Sequence, residues 1–313
     1  MDISVVVPAR DEEASIATLV GETAKALDGF RWEMIIVDDG SVDRTWAAIL
    51  EASSSYPVKG VRFGRSMGKA AALSAGFAEA SGSLVATMDA DLQDDPAELP
   101  AMASMMAEGN LDLVSGWKKT RHDPLSKRIP SKVFNCIVRL ATGLRLHDFN
   151  CGLKLYRGET ARRLDLYGEM HRYTPVLVAQ LGYRVGEKAV NHRPRRHGRS
   201  KYGLSRFFRG YADLLTVLFL HRYSFRPLHF FGGIGTTLFA TGLAITAYLS
   251  VLWLGGESIG NRPLLLMGVF LMLIGFQLVS LGLLGEMMLR FLPGKKPFNI
   301  VERSVSGTQG TSP

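Results

Sequence analysis

The sequence predicts an α/β domain with a mostly parallel sheet, followed by a two-helix membrane anchor. The first prediction rests on β-rich and helical segments that alternate over residues 1–203, and the second on two long uncharged stretches near the end. Strands that alternate with helices are typical of βαβ units, and continuous apolar strands indicate a sheet covered on both faces. The β-rich runs cover 3–9, 32–39, 58–64, 83–90 and 111–117, and the helical patterns cover 12–27, 43–53, 68–81 and 96–107.

The composition limits the class of protein. A chain of 313 residues with 47% hydrophobic residues is long and apolar enough for a buried core. Its two cysteines, Cys136 and Cys151, exclude a disulfide framework, and their spacing fits no zinc motif. We expect both thiols to be packing residues in a reducing, cytosolic environment. The opening "MDISVVVPARDEE" lacks the basic region of a signal peptide and is expected to form a buried first strand.

Two stretches, 228–256 and 263–285, contain no Asp, Glu, Lys or Arg. Each exceeds the about 20 residues that a helix needs to cross a bilayer. The alternative is a buried helical hairpin of a soluble protein, but two uncharged stretches of this length, joined by a short loop, argue against it. The predicted organisation is an α/β domain at 1–203, amphipathic interfacial helices at 204–227, two transmembrane helices at 228–292 and a cytoplasmic tail at 293–313.

Basic residues flank the two stretches unequally. The flanking residues are Arg222, Arg226, Arg290, Lys295 and Lys296. The connecting loop carries only Arg262. Because cytoplasmic flanks carry the excess of Lys and Arg, we expect a multi-pass protein of the cell membrane with both termini and the α/β domain in the cytoplasm. The two transmembrane helices are also the expected contact in a homo-oligomer.

Acidic residues follow two of the predicted strands. The second strand ends in Asp38-Asp39-Gly40-Ser41, and the fourth ends in Asp89-Ala90-Asp91. In parallel sheets of this kind the ligand binds at the carboxyl ends of the strands. The sequence therefore predicts a ligand site at this edge of the sheet, although the D-D-G-S segment is also typical of a turn.

The segment Asp89-x-Asp91-x-Gln93 predicts a metal site. In extended backbone, alternate side chains point to the same side, so two carboxylates and an amide oxygen would converge. Three oxygen ligands suit Mg²⁺ or Mn²⁺, which would also bind phosphate oxygens. The alternative is that these carboxylates only stabilise a loop or cap a helix. We expect this capping role for Asp94 and Asp95, which precede Pro96.

Six motifs in order resemble the family 2 glycosyltransferases, and specifically the polyprenyl-phosphate glycosyltransferases. This group includes dolichol-phosphate mannose synthases and undecaprenyl-phosphate glucosyltransferases. The motifs are "VVVPARDEE", "IIVDDGSVDRT", "GKAAALSAGF", "MDADLQDDP", "DFNCGLKLYR" and "NHRPRRHGRSKYG". The resemblance covers nearly the whole chain and implies a GT-A fold, a nucleotide-sugar donor and a polyprenyl phosphate acceptor, either undecaprenyl or dolichyl phosphate.

The resemblance also implies roles for individual residues. The nucleotide sugar would contact Pro8, Arg10, Glu12, Val37, Asp39, Asp89, Ala90, Asp91 and Gln93, and the metal would be held by Asp89, Asp91 and Gln93. Asp89, Asp91 and Asp148 would be the catalytic residues. Asp148 would face the acceptor or the transferred sugar, and the alternative for it is a loop residue that forms turn hydrogen bonds.

Two basic clusters, at 116–140 and 184–209, would bind the phosphates. Arg195 and Lys201 lie in a Gly- and Ser-containing segment that could close over the donor and reach its diphosphate. We expect Lys118, Arg121 and Arg128 to contact the lipid phosphate. Alternatively, much of this charge is a solvated face or meets anionic lipid.

The predicted reaction is inverting transfer of a monosaccharide to the lipid phosphate at the cytoplasmic face. An acceptor phosphate with a second pKa of about 6 is already ionised, so a general base is not essential. Residues 171–185 and 191–203 resemble the bacterial glucosyltransferase branch more than the mannose synthases, and Trp117 stands where some mannose synthases have Arg. The resemblance therefore implies UDP-glucose as the donor, with GDP-mannose as the alternative. A non-catalytic membrane-bound scaffold is the alternative from another class. Nucleic-acid binding is not expected, since no motif of that class is present.

Overall fold

The computed structural model describes residues 1–119, 125–193, 227–256, 258 and 263–291. The chain divides into an N-terminal α/β unit and a second unit, Phe219–Pro297, that holds two long helices. Among the predicted site residues, Arg121, Arg195 and Lys201 lie outside the described residues, as does the predicted interfacial segment 204–227 except for Pro227.

The α/β unit contains a seven-stranded mixed sheet with the order β3-β2-β1-β4-β6-β5-β7. The strands are β1 Ile3–Ala9, β2 Trp32–Asp38, β3 Val58–Arg62, β4 Leu84–Thr87, β5 Leu113–Lys118, β6 Lys154–Arg157 and β7 Val185–Val190. All pairings are parallel except those of β6, which runs antiparallel to both neighbours. The predicted mostly parallel sheet is confirmed, and this is the GT-A type of architecture.

The sequence did not predict β6 and β7 as strands. β6 is only four residues long, and β7, "VGEKAV", mixes charged and apolar residues. Neither segment carries a continuous apolar run. For β7 the reason is that the strand lies at the edge of the sheet and is only partly buried. The fourth strand was predicted to reach residue 90, but it ends at Thr87.

Among the described residues, seven helices cover the sheet; the first four lie at the predicted positions, and the last three were not predicted. They are α1 Glu13–Ala26, α2 Thr45–Ser55, α3 Lys69–Glu79, α4 Leu99–Glu108, α5 Leu125–Thr142, α6 Gly158–Arg163 and α7 Thr174–Gln180, with short 3₁₀ turns at Pro96–Glu98 and Met170–Arg172. Val5, Val6 and Val7 of β1 are fully buried, so this interior strand is covered on both faces. Gly76 allows α3 to approach this strand, since a Cβ there would lie 2.2 Å from Val6 Cγ1. The approach fixes the start of α3 near the carboxyl ends of the strands.

The second unit is a pair of apolar helices, α8 Pro227–Leu254 and α9 Pro263–Phe291. Both are long and apolar enough to cross a membrane. They pack through glycines: a Cβ on Gly235 would lie 2.7 Å from the Gly275 carbonyl oxygen, and one on Gly242 would lie 2.5 Å from the Gly268 carbonyl oxygen. Small residues that bring helix backbones together are typical of membrane helix pairs. The homo-oligomer expected through these helices stays a prediction.

Candidate active site

The site is organised around an ion pair between Asp89, just after β4, and Lys69, the first residue of α3. Lys69 Nζ donates to Asp89 Oδ1. Burial alone would raise the pKa of Asp89, but the ammonium groups of Lys69 and Lys118 outweigh it and hold the pKa well below its usual range. Asp89 is therefore a carboxylate at every physiological pH.

The backbone at residues 89–93 is a turn, so the predicted extended arrangement of Asp89, Asp91 and Gln93 is wrong. Leu92 has a positive φ of 62°, which reverses the chain direction inside the motif. The Gln93 N–H donates to Asp91 Oδ1 at 3.2 Å, a local bond that favours a turn over a strand. Asp91 is buried, and the small Ala90 between the two carboxylates is buried as well. The motif is thus held by its own turn.

The capping prediction is right for Asp95 and wrong for Asp94. Asp95 Oδ1 accepts the Ala97 N–H at 3.1 Å at the start of the 3₁₀ turn, with Pro96 in the first position. Asp94 points back to the site: its Oδ2 accepts the Asp89 N–H at 3.2 Å, and its Oδ1 lies 3.0 Å from Lys118 Nζ. Asp94 therefore joins the D-x-D turn to β5.

Gly152 lets the segment before β6 pass directly against these carboxylates. A Cβ at this position would lie 2.7 Å from Asp94 Oδ2 and 2.8 Å from Asp89 Oδ2. The Thr87 hydroxyl donates to the Gly152 carbonyl at 2.8 Å and fixes the approach. Any side chain larger than hydrogen would displace one of the two carboxylates.

A narrow cleft opens beside Asp89. Its polar lining includes Lys69, Asp89, Asn150, Lys154 and His171. Lys154 is buried, and its Nζ donates to the Cys151 carbonyl, a neutral acceptor, at 2.7 Å. Burial, together with repulsion by Lys69, lowers the pKa of Lys154 to about 8. Burial, together with repulsion by Lys69, Arg172 and Lys154, holds the pKa of the His171 imidazole well below its ordinary value. At neutral pH the cleft therefore contains Lys154 in its protonated form and His171 in its neutral form.

Asp148 lies in a loop that is fixed from two sides. Its Oδ1 accepts the Asn150 N–H at 3.0 Å, as in the turn predicted as its alternative role. The Glu187 carboxylate of β7 accepts the N–H groups of His147 and Asp148 at 2.8 and 2.9 Å. His147 in turn stacks on Trp117, with ring centroids 4.2 Å apart. Asp148 is buried and interacts electrostatically with Lys154, which lines the cleft.

Asp39, predicted to reach the base or ribose, is bonded to the chain before α3. Its carboxylate accepts the N–H groups of Met67 and Gly68 at 2.6 and 3.1 Å and the Ser66 hydroxyl at 2.7 Å. Arg10 Nη1 donates to the same hydroxyl at 2.9 Å. Asp39 therefore orders the loop that leads to Lys69, whatever contact it makes with a nucleotide.

Three further residues were predicted to border the nucleotide. Glu12 precedes α1 and accepts the Ser15 hydroxyl at 3.1 Å. Val37 is fully buried in β2, and its register partner Pro8 in β1 is partly buried. Pro8 and Glu12 lie at the carboxyl end of β1, where the prediction placed them, while Val37 belongs to the core.

Of the basic residues near the site, Lys118 and Arg193 are described together with their acidic partners. Lys118 is mostly buried and paired with Asp94, and this carboxylate with Asp89 holds its pKa above the ordinary value although burial acts in the opposite direction. Arg128 lies in α5, but its side chain is outside the described part of the chain. Arg193 lies two residues before the predicted closing segment: its N–H donates to the Gln93 carbonyl at 3.0 Å, and its guanidinium pairs with Glu22 and Asp95. Arg193 therefore lies next to the D-x-D turn.

The donor set fits a divalent cation that is shared with a ligand. Within the described residues, no group of three His, Cys, Asp or Glu side chains is arranged to hold a metal by itself. Asp89 and Asp91 supply two hard oxygen donors, and Mg²⁺ or Mn²⁺ sites of this kind are completed by water and phosphate oxygens. For the cation to bind, the hydrogen bond from Lys69 to Asp89 would have to leave one carboxylate oxygen of Asp89 to the cation.

Four residues of the site were not identified from the sequence: Lys69, Gly152, Lys154 and His171. Lys69 and Lys154 stand inside motifs that were recognised, "GKAAALSAGF" and "DFNCGLKLYR", but a lone lysine carries no pattern that predicts burial. A lysine between apolar residues of a strand, as in "LKLY", is the one signal that could have indicated Lys154.

Comparison with known proteins agrees with this geometry. The sequence model of the family "Glycosyl transferase family 2" matches residues 4–165. The chain is 43% identical to the dodecaprenyl-phosphate galacturonate synthase of Rhizobium johnstonii, covering 93% of this chain and 88% of the relative. It is 34% identical to the undecaprenyl-phosphate 4-deoxy-4-formamido-L-arabinose transferase of Pseudomonas aeruginosa, covering 99% and 92%.

A solved structure shares the fold of the α/β unit. Glucosyl-3-phosphoglycerate synthase from Mycobacterium tuberculosis, in complex with Mn²⁺, UDP-glucose and glycerol 3-phosphate, matches with a TM-score of 0.55 at 19% identity, over 70% of this chain and 79% of that one. At this identity the likeness concerns the fold. The family match and the two sequence relatives are stronger, and the chain belongs to glycosyltransferase family 2.

Proposed function

We propose that this protein transfers a monosaccharide from a nucleotide sugar to a polyprenyl phosphate, with inversion at the anomeric carbon. The observation that carries the proposal is the D-x-D turn at the sheet edge, with Asp89 kept ionised by Lys69, in a chain that also has a membrane-type helical hairpin. Both sequence relatives are named as polyprenyl-phosphate sugar transferases or synthases, which supports the same acceptor class.

Asp89 and Asp91 would hold Mg²⁺ or Mn²⁺ together with oxygens of the donor diphosphate, and Gln93 lies next to them. When bound, the cation would neutralise charge that develops on the leaving nucleotide. The solved relative contains Mn²⁺ with UDP-glucose, which supports a divalent metal. Arg195 and Lys201 would add positive charge at the diphosphate, which is supported by the bond of Arg193, two residues before Arg195, to the Gln93 carbonyl.

The acceptor would be activated by its own charge. A phosphate monoester is largely dianionic at neutral pH, so its oxygen attacks the anomeric carbon without a general base. Lys118 forms an ion pair with Asp94, which supports a role in positioning that carboxylate. We therefore assign the lipid phosphate to Arg121 and Arg128. Asp148, held by Glu187, would orient the sugar or the acceptor at the cleft.

The donor sugar is best explained as an acidic hexose. Lys154 places a buried ammonium group in the cleft and meets only the neutral Cys151 carbonyl among its hydrogen-bond acceptors in the described structure. Asp148 and Asp89 attract this ammonium group but form no ion pair with it within the described residues, so a carboxylate on the sugar would be its direct partner. The Rhizobium relative is named for galacturonate, which supports this choice. UDP-glucose, expected from the sequence resemblance, is the alternative, and the names of the two sequence relatives do not support it.

The reaction would take place at the cytoplasmic face. This part of the proposal rests on the basic flanks of α8 and α9 and on the single arginine, Arg262, in the loop between them. The homo-oligomer is not part of the proposal.

The proposal is tested with the full chain in lipid nanodiscs that contain undecaprenyl phosphate and a radiolabelled donor. Asp91→Ala is expected to abolish lipid labelling while the α/β domain stays folded, and EDTA is expected to do the same to the wild type. Asp28→Ala, which removes a carboxylate elsewhere in the domain, should leave labelling unchanged. Full lipid labelling in EDTA would reject the metal, and labelled sugar released only as free hydrolysis product would reject the acceptor.

A further inference from the structure

His171 is a polar residue of the cleft to which the described part of the chain gives no hydrogen-bond partner. Its side chain is only 10% exposed. The Nδ1 atom is buried and unbonded within the described residues. The Nε2 atom lies 3.9 Å from Glu169 Oε2, too far for a hydrogen bond. Buried polar groups are normally bonded, so an imidazole in this state indicates a contact that a ligand completes.

The chain holds the ring in a fixed position. The 3₁₀ turn Met170–Arg172, which carries the ring, packs against α3. Ser74 of α3 bonds to the segment before this turn, because its hydroxyl meets both the N–H and the carbonyl of Leu166 at 3.2 Å. Tyr173, directly after the turn, is fully buried. The imidazole is therefore held by the same helix that presents Lys69 to the site.

The ring is neutral although it shares the cleft with two ammonium groups. Burial, with repulsion by Lys69, Arg172 and Lys154, keeps its pKa well below the ordinary value. A neutral imidazole offers one N–H donor and one acceptor nitrogen. A hydroxyl group, which also donates and accepts, suits this ring. A phosphate would bond more strongly to the ammonium groups of Lys69 and Lys154.

The position of the cleft indicates which part of the donor carries that hydroxyl. In the proposed complex, the diphosphate of the donor lies at Asp89 and Asp91. The sugar is bonded directly to the diphosphate, so it is the next group of the donor. The cleft that opens beside Asp89 contains both His171 and Lys154, the residue assigned to the sugar carboxylate. The cleft is narrow, so the sugar would have to widen it by moving side chains, as is common on binding.

We propose that His171 is a specificity residue, which forms a hydrogen bond with one ring hydroxyl of the donor sugar. The inference rests on the proposed transfer from a nucleotide sugar, and it does not depend on whether that sugar is acidic. A ring nitrogen in a fixed position favours one orientation of the hydroxyl, so His171 would distinguish sugars that differ at that carbon.

Binding of the donor and of its sugar-free nucleotide separates a sugar contact from a structural role. The full chain in nanodiscs with Mn²⁺ is titrated by calorimetry with the nucleotide sugar that the wild type transfers to lipid, and with the matching nucleotide diphosphate. His171→Leu should weaken the nucleotide sugar about ten- to hundredfold and leave the nucleotide diphosphate unchanged. Thermal melts should show no loss of stability, since the variant removes an unbonded buried polar group.

Donors that lack a single hydroxyl test the contact itself. Three analogues lack the hydroxyl at C2, C3 or C4 of the sugar. The wild type should use one of them with a kcat/KM about ten- to hundredfold below that of the parent donor, because the imidazole then has no partner. His171→Leu should use this analogue and the parent equally well, and it should treat the other two as the wild type does. His171→Asn or His171→Gln, which keep a polar amide, should restore discrimination.

Thr23→Val is the matched control for the loss of a buried polar group. The Thr23 hydroxyl donates to the Leu19 carbonyl at 2.8 Å inside α1, and Thr23 does not line the cleft. This variant should melt at a lower temperature than the wild type. Its affinity for the nucleotide sugar and its discrimination among the analogues should be unchanged.

Three results would overturn the proposal. Equal weakening of the nucleotide sugar and the nucleotide diphosphate by His171→Leu would mean that the imidazole only supports the fold of the site. Unchanged affinity for the nucleotide sugar would mean that the ring does not contact it. Discrimination among all three analogues that is the same in His171→Leu and the wild type would mean that no ring hydroxyl bonds to His171.

These results are distinct from a failure of the proposed function. In each of them the wild type still transfers sugar to lipid, so only the role of His171 is rejected. A wild-type chain that transfers sugar to lipid from no nucleotide sugar would contradict the proposed function, and the role of His171 would be rejected with it.

Discussion

Lys69 at the start of α3 donates to Asp89, the first carboxylate of the D-x-D turn after β4. The pair joins two elements that are 20 residues apart in sequence and fixes an acidic group at the carboxyl edge of the sheet. Lys69 is held there by the packing of Gly76 against Val6 and by the Asp39 bonds to the chain before α3. The charge of the site is therefore set by the same contacts that hold the fold.

Lys69→Met is expected to lower kcat/KM by about ten- to hundredfold, because Asp89 loses the cation that orients it. The matched control is Lys59→Met, which removes the pair of Lys59 with the buried Glu33 away from the site. Initial rates with purified variants, together with thermal melts, check both. If the two variants lost the same stability and had the same rate, the ion pair of Lys69 with Asp89 would be only structural.

Lys154→Met is expected to stabilise the α/β unit by on the order of 1–3 kcal/mol, because it removes a buried ammonium group. The same change should lower kcat/KM for an acidic sugar donor while affecting a neutral donor less. Chemical denaturation and rates with both donors measure the two effects. A loss of stability, or an equal loss of rate for both donors, would contradict the assigned role.

The lowered pKa of Lys154 also predicts a pH dependence. Recognition of a sugar carboxylate needs the ammonium form, so kcat/KM for an acidic donor should fall as the pH rises through about 8. In the unfolded chain the Lys154 amine loses its proton only near the ordinary lysine pKa. Between about 8 and that value the unfolded state binds more protons than the folded state, so the contribution of Lys154 to the free energy of unfolding should rise with pH above about 8. Lys154→Arg, which stays charged, should flatten the pH profile of the rate.

Gly152→Ala is expected to impair the site without a change of charge. The added Cβ would lie within 3 Å of both Asp89 and Asp94, and backbone or carboxylates must move, at a cost of about 1–3 kcal/mol. Gly21→Ala in α1 is the control, since nothing lies within 4 Å of a Cβ there and alanine favours the helix. Wild-type metal affinity in Gly152→Ala, measured by calorimetry with a nucleotide diphosphate present, would count against this tight approach.

Ser258→Cys tests the topology in a Cys136→Ser chain. The residue is exposed between α8 and α9, and an impermeant thiol reagent added to intact cells should label it. Val42→Cys, at a 92% exposed position of the α/β unit, should react only after lysis. The reverse pattern would place the α/β unit outside the cytoplasm.

The order of elements in the fold could be predicted from the sequence because most of them bury a regular pattern. β1, β2 and β4 are mostly apolar runs, and α1 to α4 follow the first four strands with helical spacing. β7 escaped because an edge strand is buried on fewer sides and tolerates Glu187 and Lys188. The positions of Asp89, Asp91 and Asp148 were found through motifs, whereas their geometry depended on tertiary contacts.

The partners of these acids could not be read locally. Leu92 adopts a positive φ that is uncommon for a leucine, so the turn inside the D-x-D motif contradicted local expectation. The carboxylate of Asp94 meets Lys118 from β5, 24 residues later, instead of capping the next helix. Long-range pairs of this kind carry no periodic signal, and they decide which charges of the site remain available.

The most direct test of the central claim is transfer of label from a nucleotide sugar into lipid. The purified full chain, in nanodiscs with undecaprenyl phosphate and Mn²⁺ or Mg²⁺, is offered radiolabelled UDP-galacturonate, UDP-glucose or GDP-mannose in parallel. We predict label from UDP-galacturonate in an organic-extractable product that mild acid cleaves. Label from UDP-glucose or GDP-mannose alone would reject the acidic sugar and keep the reaction, and no labelled lipid from any of a wider set of nucleotide sugars would contradict the account.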